Sequence, residues 1–133
     1  MKKIIFLLFL SFQLTAQINA TFEVDLTQYS GNYTTVEFFR GGQAYPMTNI
    51  GPNLYSYTAV VPPFQASNYT YKFRVDGINE TFIGNETCIN ITPLDTTRII
   101  DLNNNLPSTV CWQECSSCAI SVYGCIDSTA INY

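Results

Sequence analysis

The sequence contains no histidine and few charged side chains of either sign. Of its 133 residues, 12% are charged and only 6 are Lys or Arg. Without histidine, the chain cannot build a Ser-His-Asp or Cys-His catalytic arrangement, nor supply an imidazole ligand to a metal. Glycoside hydrolysis by paired carboxylates is the catalytic route left open. Because Asp25 and Glu37 fall on the polar alternates of strand patterns and Asp76 lies in a turn, we expect no enzyme activity.

Long hydrophobic runs are also scarce, and the one present stands at the N-terminus. Lys2 and Lys3 precede an apolar run from Ile4 to Leu10, which is too short to cross a bilayer. The pattern predicts a secretory signal over residues 1–16, cleaved after Ala16. Its removal leaves four basic and ten acidic side chains, a formal net charge of about −6. We therefore expect a secreted or cell-surface protein with no nucleic-acid partner and no membrane insertion.

Helical periodicity is absent beyond the signal, and short alternating segments take its place. In the first of them, Phe22, Val24 and Leu26 alternate with polar residues. The segments that we interpret as strands are residues 21–26, 35–39, 46–50, 55–61, 69–75, 81–83, 88–91 and 98–102. Short strands separated by turn residues are typical of an antiparallel sandwich. The sequence therefore predicts an all-β fold.

Aromatic residues are abundant, with nine Tyr and nine Phe. Flat rings of this kind stack on sugars, but they are also the usual filling of a small sandwich core. Four of them lie on inward alternates of strands, and we expect them in the core: Tyr55, Tyr57, Tyr71 and Phe73. Four others flank turns and are better candidates for exposure: Tyr29, Tyr33, Tyr45 and Tyr69.

The segment from Tyr69 to Gly77 joins a strand to a tight turn. Tyr69, Tyr71, Phe73 and Val75 alternate with polar residues, and Asp76-Gly77 follows as a hairpin turn signal. Its Tyr-Lys-Phe-x-Val-Asp-Gly pattern resembles the signature of the starch- and glycogen-binding modules. The resemblance implies an immunoglobulin-like antiparallel β-sandwich that serves as a non-catalytic accessory module of an exported protein.

The same resemblance implies a sugar site but leaves it incomplete. Lys72 matches the lysine that holds sugar in the family, whereas neither of its two stacking tryptophans is present. The first would lie before Pro46-Met47, and the second would follow the Asp76-Gly77 turn. We expect Lys72, Arg74 and Tyr45 to contact an α-glucan or a related polysaccharide. The alternative is a structural or adhesive spacer domain that binds no sugar.

The five cysteines support export, because cysteines pair in an oxidising compartment. Cys111, Cys115 and Cys118 form a cluster that resembles the Cys-Trp-x-x-Cys-x-x-Cys ending of exported modules of the Bacteroidetes type, which carry a further cysteine near the position of Cys88. A bond from Cys88 to one member would staple the C-terminal tail to the sheet, with the pairing left open. A zinc site of four thiolates is the competing interpretation, but we expect no metal and no cofactor. Trp112 would pack over the disulfides.

Cys125 is left without an obvious partner. Residues 124–133 resemble the first half of a Gly-Cys-Thr-Asp-x-x-Ala-x-Asn-Tyr repeat, in which a second cysteine follows. We therefore expect a β-sandwich module over residues 18–118, then a linker and the start of a repeat over residues 119–133. The partners would be downstream domains of the same polypeptide. The alternative is a complete small protein in which Cys125 is a free or intermolecular thiol.

Overall fold

The computed structural model describes residues 16–82 and 87–118 of the chain. This part consists of β-strands and one short 3-10 turn, Pro63–Gln65. The strands are β1 (Ile18–Asp25), β2 (Val36–Arg40), β3 (Gln43–Pro46), β4 (Thr48–Gly51), β5 (Leu54–Val61), β6 (Tyr69–Val75), β7 (Ile78–Asn79), β8 (Ile89–Ile91), β9 (Thr96–Ile100) and β10 (Thr109–Cys111). The expected signal, except Ala16, and the expected repeat lie outside the described residues.

The strands form two sheets packed face to face. One sheet has the order β10-β1-β5-β4, and the other has the order β3-β2-β6-β9-β8, with β7 paired to β6. Every pairing is antiparallel except β1 with β10, which run parallel with Glu23 opposite Thr109. The predicted all-β, immunoglobulin-like sandwich is confirmed, with one parallel pair added at the edge.

Aromatic rings from both sheets fill the core. Phe22 of β1 lies 4.6 Å from Tyr71 and 4.9 Å from Phe38, measured between ring centroids. Tyr71 and Phe73 are buried as predicted. Tyr69 was expected at the surface, and this is wrong, since only 4% of it is exposed. Phe22 stacks against the Tyr69 ring, and the guanidinium of Arg40 covers it at 4.1 Å. The remaining pair, Tyr55 and Tyr57, is only half-buried.

Two strand predictions differ from the structure. The predicted strand at residues 46–50 is divided between β3 and β4, which belong to different sheets. A strand was also predicted at residues 81–83, but pairing after β6 occurs earlier, at β7, and Thr81 and Phe82 lie outside any strand. The cause is the tight turn at Asp76 and Gly77, where φ is +48° and +77°. Ile83 lies outside the described residues.

Two disulfides fix the C-terminal tail to the sandwich. Cys88 is bonded to Cys115, and Cys111 is bonded to Cys118. The pairing that the sequence left open is thereby resolved, and all four sulfurs are engaged in disulfides. Trp112 is 9% exposed and packs edge-on against Tyr29. The disulfides indicate an oxidising, non-cytoplasmic setting. Within residues 16–82 and 87–118, no helix is long and apolar enough to cross a membrane.

Candidate functional site

The outer face of the β2–β6 pair carries two of the three predicted sugar contacts. Because side chains alternate along a strand, Lys72 and Arg74 point away from the core that Tyr71 and Phe73 fill. Across the strand pair, Lys72 lies opposite Phe39. The sequence pattern therefore predicted correctly that the side chains of Lys72 and Arg74 point away from the core.

Lys72 is nevertheless almost completely covered, with 4% of the residue exposed. Its Nζ donates a hydrogen bond to a carboxylate oxygen of Asp95, and the two form an ion pair. Asp95 belongs to the turn between β8 and β9, where its backbone N–H bonds to Thr92 Oγ1 at 3.0 Å. The Asp95 side chain keeps half of its surface exposed. Thus the amine has a committed partner, while the carboxylate remains within reach of a ligand.

A shallow groove of about 200 Å³ surrounds this ion pair. The Gly41-Gly42 turn borders the groove, and both glycines have positive φ. The side chains around it combine a ring, two hydroxyls and the ion pair: Phe39, Thr70, Thr97, Lys72 and Asp95. We call this feature the outer groove. Donors, acceptors and an apolar ring in one depression are the groups that a sugar ring requires.

Arg74 does not line the outer groove. It stabilises two neighbouring features, the Phe39 ring and the turn after β6. Its guanidinium lies 4.6 Å above the Phe39 ring, and its Nη2 donates to the carbonyl of Gly77 at 2.6 Å. Its Nε is buried and has no hydrogen-bond partner within the described part of the chain. Arg74 therefore orients Phe39 and closes the turn after β6.

Tyr45 lies on the opposite side of the same sheet. It is paired with Phe38, whose ring points into the core, and it stacks on Tyr57 with ring centroids 5.4 Å apart. Its hydroxyl donates to Gln43 Oε1 at 2.6 Å. Tyr45 lines a separate cleft of about 130 Å³ that also contacts Arg40. The three predicted contacts therefore do not line one groove: Lys72 lines the outer groove, Tyr45 lines the other cleft, and Arg74 lines neither.

Asp76 fixes the relative position of the strands that carry the outer groove. Its Oδ1 accepts hydrogen bonds from the backbone N–H of Thr35 at 2.7 Å and of Thr34 at 3.0 Å. These bonds, with that of the Thr34 hydroxyl, lower the pKa of Asp76 to about 2. The turn after β6 is thus tied to the residues just before β2, and this connection supports the pairing of Lys72 with Phe39.

Sequence reasoning missed a buried ion pair on the inner face, next to the disulfides. Arg98 Nε and Nη2 donate to the two carboxylate oxygens of Glu80 at 2.9 and 2.7 Å. Arg98 also donates to the carbonyls of Glu114 at 2.7 Å and Cys111 at 3.2 Å. Both side chains of the ion pair are inaccessible to solvent, at 1% and 0% exposure. A pair so enclosed holds the tail in place.

The sequence did contain patterns that indicate the placement of two missed residues, Arg98 and Asp95. Ile100 and Leu102 continue inward from β9, so a period of two places Arg98 inward as well. Asp95 follows a turn-forming Thr92-Pro93 and stands at the end of the connection into β9. Neither signal identifies the partner, because each pairing joins segments that are distant in sequence.

No family model matches the chain, and comparison with curated proteins finds no significant match. The likeness of β6 and its turn to the glycogen-binding signature therefore stays a prediction. Function must be argued from the geometry of the site, since a sandwich fold by itself hosts many functions. Among residues 16–82 and 87–118, no group of three or more metal-ligating side chains is found.

Proposed function

We propose that the chain is a non-catalytic accessory module of an exported protein and that it binds a neutral polysaccharide, an α-glucan or a related glycan, in the outer groove. The observation that carries this proposal is the Lys72–Asp95 ion pair facing Phe39 within the groove. A fixed ammonium and a half-exposed carboxylate offer a donor and an acceptor to neighbouring sugar hydroxyls. The low count of charged residues and the net negative charge favour a neutral glycan over an acidic one.

The affinity expected from this arrangement is weak. Lys72 must share its protons with Asp95, and one face of the Phe39 ring is covered by Arg74. A hydrogen bond to a sugar hydroxyl replaces one to water, so each contributes about 0.5–1.5 kcal/mol at most. We therefore expect binding to extended polymers, where many repeats present themselves, to be easier to detect than binding to single sugars.

The experiment is affinity electrophoresis of the oxidised chain in native gels containing soluble starch, glycogen or soluble xylan, with a pull-down on cellulose. We expect retardation by at least one polymer and a clear reduction of it in Lys72→Ala and Asp95→Ala. Asn49→Ala is the matched control, because Asn49 is exposed on β4 of the other sheet. Fluorescence of Trp112, the chain's single tryptophan, confirms that each variant is folded.

The second candidate is a structural or adhesive spacer without sugar binding. It is favoured by the burial of Lys72 and by the position of Tyr45 on the other face of the sheet. If no polymer retards the chain, the binding proposal is wrong and the spacer remains. If the retardation of Lys72→Ala equals that of the wild-type chain, the outer groove is not a binding site.

A further inference from the structure

A second depression lies at the seam between the two sheets, and we call it the seam cleft. It is bounded by β9, by the loop that leads into β10 and by the Cys88–Cys115 disulfide. Its volume is about 570 Å³, within the range of about 300–1,000 Å³ that is usual for small-molecule sites. It shares only Tyr71 with the residues that line the outer groove. The seam cleft is therefore a separate place for a ligand.

The charged groups of the seam cleft are already committed to protein partners. Arg98 is bonded to Glu80 and to two backbone carbonyls. The carboxylate of Asp101 accepts hydrogen bonds from the backbone N–H of Asn103 at 3.0 Å and from Asn104 Nδ2 at 2.7 Å. An anionic ligand would therefore meet no unpaired cation and would be repelled by Asp101, whose donors are neutral and leave its negative charge in place, so burying such a ligand would be unfavourable.

The remaining polar groups are neutral, and their side chains make no hydrogen bond within the described part of the chain. They are hydroxyls and amides: Ser67, Asn68, Thr87, Asn105 and Ser108. Apolar surface lies between them, notably Leu106, which is 80% exposed, and Pro107. A purely apolar ligand would leave these donors and acceptors unpaired, whereas a hydroxyl-rich ligand with C–H faces satisfies both kinds of surface.

We propose that the seam cleft is a second binding site, for an uncharged saccharide. The inference takes its ligand class from the proposed function, but its location is independent of the outer groove. Loop residues 105–108 would contact one side of the sugar, and Ser67 and Asn68 would contact the other. The Cys88–Cys115 disulfide would lie beneath it.

Binding in the seam cleft can be detected by comparing the reduction rates of the two disulfides. Cys88 and Cys115 both line the seam cleft, whereas Cys111 is fully buried and neither it nor Cys118 lines the cleft. A saccharide in the seam cleft must shield Cys88–Cys115 from a thiol reductant and leave the rate for Cys111–Cys118 unchanged. In the shielded reaction, two reductant thiols reduce the protein disulfide to two thiols and are oxidised to a disulfide.

The test uses the oxidised full chain with maltotriose, cellotriose and xylotriose, each added separately before a dilute dithiol. Alkylation and mass spectrometry then follow the reduction of each disulfide. At least one trisaccharide is expected to slow reduction of Cys88–Cys115 by about threefold or more at saturation. The variant N68A/L106A, in which both changed side chains are exposed, is expected to weaken this protection about tenfold in saccharide concentration. Asn49→Ala and Leu94→Ala are the matched controls.

Every outcome decides the proposal. Protection that survives in N68A/L106A, equal protection by tri-galacturonate, or no protection by any trisaccharide overturns the seam cleft as a neutral-saccharide site. Polymer retardation that depends on Lys72 while Cys88–Cys115 remains unprotected leaves the proposed function standing and removes this inference. Protection that is lost in N68A/L106A but kept in Lys72→Ala supports the seam cleft independently of the outer groove.

Discussion

Among residues 16–82 and 87–118, two ion pairs lie on opposite faces of the same sheet and differ in their surroundings. Arg98 and Glu80 are both sealed in the interior, and four hydrogen bonds from the guanidinium are distributed over Glu80, Glu114 and Cys111. Lys72 is equally covered, but its partner Asp95 is half-exposed. The Arg98–Glu80 pair therefore has a structural role, whereas the Asp95 carboxylate of the second pair remains accessible to solvent and ligands.

The inner pair also satisfies backbone hydrogen-bonding groups of β6 just beyond its pairing with β7. Glu80 N–H donates to the carbonyl of Phe73 at 3.0 Å, and the Phe73 N–H donates to Glu80 Oε1 at 2.8 Å. The carboxylate thus takes the place of a backbone carbonyl opposite β6. Because Arg98 then connects Glu80 to the tail, one buried pair joins β6, β9 and the disulfide region. Lys72, by contrast, connects β6 to the β8–β9 turn through Asp95.

The largest effect is expected from Arg98→Ala. Removing the guanidinium leaves the Glu80 carboxylate buried without its counter-charge, which costs about 3–5 kcal/mol of unfolding free energy. The double variant R98M/E80L removes both charges and is expected to recover much of this loss. Chemical denaturation followed by Trp112 fluorescence measures both. A loss no greater than that of a Lys72 variant would contradict the distinction between the two pairs.

The Cys88–Cys115 disulfide provides the next effect, because it holds the tail that Arg98 contacts. Its two cysteines are 27 residues apart, against 7 for Cys111–Cys118. In the chain-entropy model, replacing Cys88 and Cys115 by alanine lowers the unfolding free energy by about 3–4 kcal/mol. The shorter loop of Cys111–Cys118 is worth about 2.5 kcal/mol in the same model. Denaturation of the two double-alanine variants compares them, and the reverse order would show that packing around Cys111 outweighs loop length.

A smaller effect is expected at the outer pair. Lys72→Met removes the ammonium and leaves Asp95 as a half-exposed carboxylate that water can solvate, so we expect a loss of about 1 kcal/mol or less. High salt should reduce this loss, whereas it should leave the cost of Arg98→Ala nearly unchanged. The measurement is denaturation of the wild-type chain and both variants at 0.1 M and 1 M NaCl. Equal salt sensitivity would mean that both pairs are similarly exposed.

The same contrast shows which features the sequence could predict. Alternation along β6 predicted that Tyr71 and Phe73 lie inside, because a period of two is a local property. It could not predict that Lys72 would be covered, since the cover comes from the β8–β9 turn. Tyr69 was mistaken for a surface residue because it borders a turn, whereas Arg40 from another strand buries it. Local pattern determined the face of each side chain, and long-range contacts determined its partner.

The smallest effect on stability is expected at Asp76, because this carboxylate is exposed and accepts hydrogen bonds from N–H and O–H groups without a cation. Its folded pKa of about 2 lies below the unfolded value of about 3.9, so its stabilising contribution is present above pH 4. That contribution must disappear as the pH falls toward 2. Asp76→Asn should therefore flatten the decrease in stability between pH 5 and pH 2, as measured by denaturation. Thr34→Val removes one donor and should raise the pKa of Asp76 in an NMR titration. An unchanged midpoint in that variant would show that the Thr34 hydroxyl does not contribute and that the backbone N–H groups and the Thr35 hydroxyl set the pKa.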